Sequence, residues 1–114
     1  VYIHTRYEED GEPAHGYEVQ INASRDGEGM TGTLVGTSAV SNASHGDDEW
    51  FNLHIRVDGN KVTVKVDGET VNEYTEPAAI GGPRSLGHGT IGLEAVGGDS
   101  RVEFRNPMIR LLPD

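Results

Sequence analysis

EWFNLHIRVDGNKVTVKVDG, Glu49 to Gly68, alternates apolar and polar residues along two runs separated by Gly59-Asn60. A period of two places alternate side chains on opposite faces of a strand. A two-residue turn at Gly59-Asn60 therefore sets Phe51, Leu53, Ile55 and Val57 against Val62, Val64 and Val66, with Asp58 opposite Lys61. A slip of one residue would turn all of these apolar side chains into water, so the register is strongly specified. Asp67-Gly68 turns the chain again into a third strand through Val71 and Tyr74, where the broken alternation predicts a bulge.

The same grammar extends in both directions. VYIHTR reads as a strand with Val1, Ile3 and Thr5 on one face and Tyr2, His4 and Arg6 on the other. GYEVQINAS, Gly16 to Ser24, puts Tyr17, Val19 and Ile21 on one side and Glu18, Gln20 and Asn22 on the other. Thr33 to Val35 is a short strand, while 36–48 and 76–88 are loops rich in Gly, Ser, Asn or Pro. Thr90 to Val96 and Arg101 to Arg105 form a predicted hairpin over Gly97-Gly98-Asp99-Ser100, with Ile91 and Leu93 inward and Val102 and Phe104 beside them. A last strand is expected from Met108 to Leu112, after Pro107. Many short strands and no helical period predict an all-β protein, an antiparallel sandwich ahead of a small closed barrel.

Composition narrows the function classes. The chain has 114 residues, enough for a single domain over 1–114. Its net charge of −10 withholds the phosphate neutralisation on which nucleic-acid binding depends, and disfavours an anionic membrane surface. No apolar run approaches the ~20 residues of a membrane-spanning helix. The absence of cysteine removes disulfides, thiolate nucleophiles and Cys-based zinc sites. Val1 stands where an initiator Met would, within a strand already under way, so the chain is expected to be an excised or processed portion of a longer protein.

The polar face of GYEVQINAS carries Glu, Gln and Asn without Lys, a set of hydrogen-bonding groups suited to hydroxyls and hence to sugars. If VYIHTR pairs with it, Tyr2, His4 and Arg6 join Glu18 and Gln20 on one surface. Three readings stand: that surface is a catalytic site, or Glu18 and Arg6 are a solvated cross-strand ion pair contributing ~0.2 to 1 kcal/mol, or strands upstream of Val1 supply the catalytic groups and this set only binds. Gly27, Gly29 and Gly32 imitate a dinucleotide loop, but no helix follows to receive a phosphate and Glu28 would repel one. Asp47-Asp48-Glu49 reads as a solvated loop ahead of a calcium site. Trp50 is read as core ahead of a sugar-stacking rim residue, and Tyr2 as the better stacking residue.

Taken in order, GYEVQI, TGTLVG, the Glu49 to Glu76 segment ending VNEYTE, GTIGLEAVGG and VEFRNPMIRLL resemble the 3-keto-disaccharide hydrolase family, a bacterial domain with a concanavalin A-like jelly-roll sandwich. The resemblance spans nearly the whole chain. It implies that strands N-terminal to Val1 are lacking, that a missing upstream segment of the same protein is a partner, and that the protein is periplasmic or extracellular. Two positions depart from the pattern: Val35 stands where an aromatic is common, and Glu94-Ala95 where Gln and a polar residue are expected. The implied chemistry is cleavage of a 3-keto-glycoside by C2 proton abstraction, elimination and hydration. It assigns His4 or Glu18 as base, Arg6 or a divalent cation as the group steadying the enolate, and Tyr2, Gln20 and Asn22 as substrate-binding residues. A non-catalytic glycan-binding module on the same fold is the alternative, and an adhesive scaffold a third class. In the first two cases the ligand is a carbohydrate.

Overall fold

The structure, a computed structural model, describes residues 1–24, 29–95 and 98–113. The six strands are β1 (Tyr2–Thr5), β2 (Tyr17–Glu18), β3 (Leu53–Asp58), β4 (Lys61–Val66), β5 (Glu69–Thr75) and β6 (Thr90–Gly92). They form two antiparallel sheets, ordered β2-β1-β6 and β3-β4-β5, and no helix occurs among the described residues. This is an all-β sandwich. The jelly-roll order is not defined by these six strands.

The β3-β4 hairpin has the register its alternation demands, from Leu53 opposite Val66 through Ile55 opposite Val64 to Asp58 opposite Lys61. Gly59 sits at φ +60°, and the next turn takes Asp67 and Gly68 at +49° and +83°. Left-handed residues at these positions give connections whose twist matches that of the strands. Val64 and Lys65 pair with Asn72 and Thr70, so Val71 is the extra residue of a bulge in β5.

The core lies between the sheets. Ile3, Tyr17, Val19 and Leu34 from the first sheet and its flank pack with Val62 and Val64 from the second. Burying side chains of this kind stabilises by about 1.5–3 kcal/mol each. Two buried polar side chains, Asn72 and Glu76, are fully engaged. Asn72 donates from Nδ2 to the carbonyls of Gly32 (3.1 Å) and Ser38 (3.0 Å) and accepts from Ser38 Oγ (2.8 Å). Glu76, also buried, accepts through Oε2 from the Tyr17 hydroxyl and the Leu86 amide, each at 2.7 Å.

The strand β1 departs from simple alternation. Tyr2 pairs with Gly92 but Thr5 pairs with Thr90, a shift made at His4, which takes φ +52°. Gly16 and Gly89 press on this bulge. A Cβ on Gly16, itself at φ +74°, would run into the carbonyl oxygens of Ile3 and His4, and one on Gly89 would meet the His4 and Thr5 backbone.

Four expectations are corrected. Residues 101–112 form no strand, and Met108, Ile109 and Leu111 are exposed, because alternation supplies a face but not the neighbouring strand that would satisfy the backbone. Ile91 and Leu93 point outward rather than into the core, each 57% exposed. Among the described residues of the predicted second hairpin only Thr90–Gly92 is a strand, while Val96, its expected strand end, and Gly97, of its expected turn, lie outside the described residues. Trp50 is half exposed, not core, and the Arg105 guanidinium stacks 4.1 Å from its ring centroid.

Three substitutions test this packing. Gly16→Ala is expected to cost at least about 2 kcal/mol in urea denaturation, because its left-handed φ and a backbone clash add. Gly81→Ala, with nothing near its Cβ, is expected to be close to neutral. Tyr17→Phe is expected to cost about 1–3 kcal/mol by withdrawing one of the Glu76 donors.

Candidate functional site

Burial on one side of β2 dictates what stands on the other. Tyr17 and Val19 are sunk in the core at 1% and 0% exposure, so Glu18 between them must face away from it. Cross-strand pairing then places Tyr2 directly beside Glu18 on one flank and beside Gly92 on the other. Val1 continues the ladder, with its nitrogen donating to the Val19 carbonyl at 2.9 Å and its carbonyl accepting from the Val19 amide at 2.7 Å. Glu18 is the cross-strand neighbour of Tyr2, which lines a cleft of about 250 Å³. Tyr2, the 11–13 loop and residues 92–94 line it, and they bring in the carboxylates of Glu12 and Glu94.

The site is electrostatically crowded. The Glu18 carboxyl is raised from its ordinary range first by burial and then by the charge of Glu94, while the Val1 amino group and the Tyr2 hydroxyl oppose the rise. Burial, the Glu94 hydrogen bond and the surrounding carboxylates push the Tyr2 phenol well above its usual range, so at neutral pH it is a donor. The Tyr2 hydroxyl acts electrostatically on both Glu18 and Glu94, and Glu94 Oε2 is buried without a hydrogen-bond partner among the described residues. In consequence the cluster can hold a proton on Glu18, offer an O–H from Tyr2, and accept hydrogen bonds from a ligand.

The other sequence-derived candidates are dispersed. His4 Nδ1 accepts from the Gly87 amide at 3.1 Å, which engages it with the loop before β6. With that lone pair occupied, the imidazole is the Nε2–H tautomer and lacks a free basic nitrogen. Arg6, beyond the end of β1, is exposed. Gln20 lies two residues past Glu18 in the segment beside 32–35, and its Oε1 meets the Ile21 amide at 3.2 Å. The Asn22 side chain is engaged locally, donating to the Gly29 carbonyl (3.2 Å) and accepting from the Ser24 amide (3.3 Å). The Tyr2 ring is only 2% exposed, so its hydroxyl rather than its face is the usable group.

Asp47, Asp48 and Glu49 are exposed, and Glu49 accepts from the Gly46 amide at 3.0 Å. No group of three or more His, Cys, Asp or Glu among the described residues is arranged to hold a metal ion. Of the Gly27, Gly29, Gly32 series, Gly27 lies outside the described residues, as does Glu28.

Sequence reasoning missed Glu12 and the role of Glu94. Glu12 belongs to an acidic loop without periodicity, whereas Glu94 carried a signal as a carboxylate where the resemblance led one to expect an amide.

Glu18 titration has a readable sign. Its folded-state pKa is raised, so the folded protein holds that proton more tightly than the unfolded chain. The stability this provides is fully present below the unfolded value of about 4.3 and is lost as pH rises through the folded value. Glu18→Gln keeps the neutral form at every pH. Thermal denaturation is therefore expected to show the variant more stable than the parent at pH 7.5, with the difference closing toward pH 4.

Residues 1–110 match the family described as the 3-keto-alpha-glucoside-1,2-lyase-like domain. No curated protein and no solved structure matches the chain. A match over nearly the full length, on a fold with a carboxylate-lined cleft, shows that the chain belongs to the 3-keto-alpha-glucoside-1,2-lyase-like family of carbohydrate-active domains.

Proposed function

We propose that this domain cleaves 3-keto-glycosides by proton abstraction at C2, with Glu18 as the base. The observation that carries this reading is a carboxyl whose pKa is raised by burial and by Glu94, paired across the strands with Tyr2, which itself lines a cleft. The 3-keto group acidifies the C2 hydrogen. Glu18 takes that proton, and the C–H electron pair forms the enolate. The enolate then expels the glycosidic oxygen from C1, leaving a C1–C2 double bond conjugated to the ketone. The departing oxygen gains a proton, and water adds across the double bond to give the free keto sugar. A base is most effective when its pKa approaches the working pH, which is the direction in which Glu18 is displaced. Tyr2, kept protonated, donates to the enolate oxygen, the role first assigned to Arg6 or a cation.

The standing of His4 and Arg6 away from the cleft favours a second reading, a glycan-binding module that uses the same carboxylates to accept sugar hydroxyls. Turnover separates the two. With a 3-keto-α-glucoside carrying a chromogenic aglycone, Glu18→Gln is expected to lower kcat/KM by ~10² to 10⁴ and Tyr2→Phe by ~10 to 10². His4→Ala is expected to stay within a few-fold of the parent. Full aglycone release by Glu18→Gln would remove the base assignment, and binding without turnover by the parent would favour the module.

A further inference from the structure

We propose that Glu94 makes this cleft selective for glycosides that carry a protonated amine, over neutral ones and against uronates and sugar phosphates. The inference rests on the carbohydrate reading of the cleft and names the charge class of its ligand. Three observations carry it. First, the charged side chains lining the cleft are carboxylates, Glu12 and Glu94, and Glu18 lies across Tyr2 from Gly92. Second, the side-chain cations nearest in sequence to the site are not among its lining residues. His4 is bonded to Gly87, Arg6 is exposed, and Arg84 donates to the Gly16 carbonyl at 3.4 Å. The amino group of Val1 reaches Glu18 electrostatically but donates to the Val19 carbonyl.

Third, the carboxylates are short of donors. Glu94, which lines the cleft, has its Oε2 buried without a hydrogen-bond partner among the described residues. A sugar hydroxyl brings one donor to Glu94. An ammonium group brings three donors and the charge that the cluster lacks. A uronate or phosphate would instead set like charge against Glu12 and Glu94 in a confined space.

The test uses the intact chain and non-keto probes, so that it reads binding independently of turnover. Isothermal titration at pH 6.5 compares methyl α-glucosaminide, methyl α-glucoside and methyl α-glucuronide. The glucosaminide is expected to bind about fivefold or more tighter than the glucoside, and the glucuronide weakest. Glu94→Gln should erase the preference, lowering glucosaminide affinity to about that of the glucoside measured on the same variant. Glu69→Gln, an exposed carboxylate on the other sheet, should leave the preference intact, which separates Glu94 from the general acidity of the protein. Equal affinities for the three probes, tightest binding of the glucuronide, no measurable glucosaminide binding, or a preference that survives Glu94→Gln would each overturn the proposal. Loss of turnover in Glu18→Gln bears on the lyase reading alone.

Discussion

A buried carboxylate ties the two sheets together. Glu76, at the end of β5, accepts from the Tyr17 hydroxyl on the opposite sheet and from the Leu86 amide of the loop that leads to β6. Its backbone also exchanges hydrogen bonds with Asn60 at the β3-β4 turn, through its amide (2.7 Å) and its carbonyl (3.1 Å). A buried carboxylate is tolerated only when charge-assisted donors replace its water, so these contacts must form together. Fixing Tyr17 has a local consequence. With its ring and Val19 committed to the core, Glu18 has no freedom to choose a side.

The second determinant is the bulge at His4. Without it, β1 would keep strict alternation and carry Tyr2, His4 and Arg6 on the cleft side as a row. The left-handed His4 breaks that row, Thr5 is buried at 3% exposure, and the imidazole meets the 86–89 loop. Gly16 and Gly89 make room for this on the two sides of the strand. Thus a pair of glycines with no polar side chain of their own helps decide which polar residues can share the site. Tyr2 and Glu18 stay together, and Glu94 enters from β6 through the pairing of Tyr2 with Gly92.

How much of this was legible follows from where the information resides. The β3-β4 register was readable because a slip would have moved a whole apolar face into water, a penalty written into one hairpin. The pairing of Tyr2 with Glu18 was readable for the same reason, since Tyr17 and Val19 announce the buried side. The His4 bulge was not, because its cause lies in close approach by Gly16 and Gly89, and a glycine's contacts do not show in periodicity. Arg105 over Trp50 joins residues 55 positions apart, so the exposure of that indole had no local sign. The alternation at 101–112 was real, but a strand is made by its neighbour as much as by its own sequence.

The site's chemistry follows from a repulsion the fold does not allow to relax. In a flexible loop, two carboxylates would separate and hydrate, and neither would be perturbed. Here Glu18 is held by the burial of its neighbours on either side, and Tyr2 by pairing on both flanks. With geometry fixed, the charge of Glu94 can be answered in three ways: a proton on Glu18, the one O–H of Tyr2, or a group brought by a ligand. On the proposed lyase reading, the first gives a base displaced toward neutrality, and the second keeps a donor in place for an oxyanion. The third makes ligand binding and proton affinity mutually dependent, since a ligand that satisfies Glu94 also lowers the proton affinity of Glu18. A substrate that seats itself well would therefore release the base it requires.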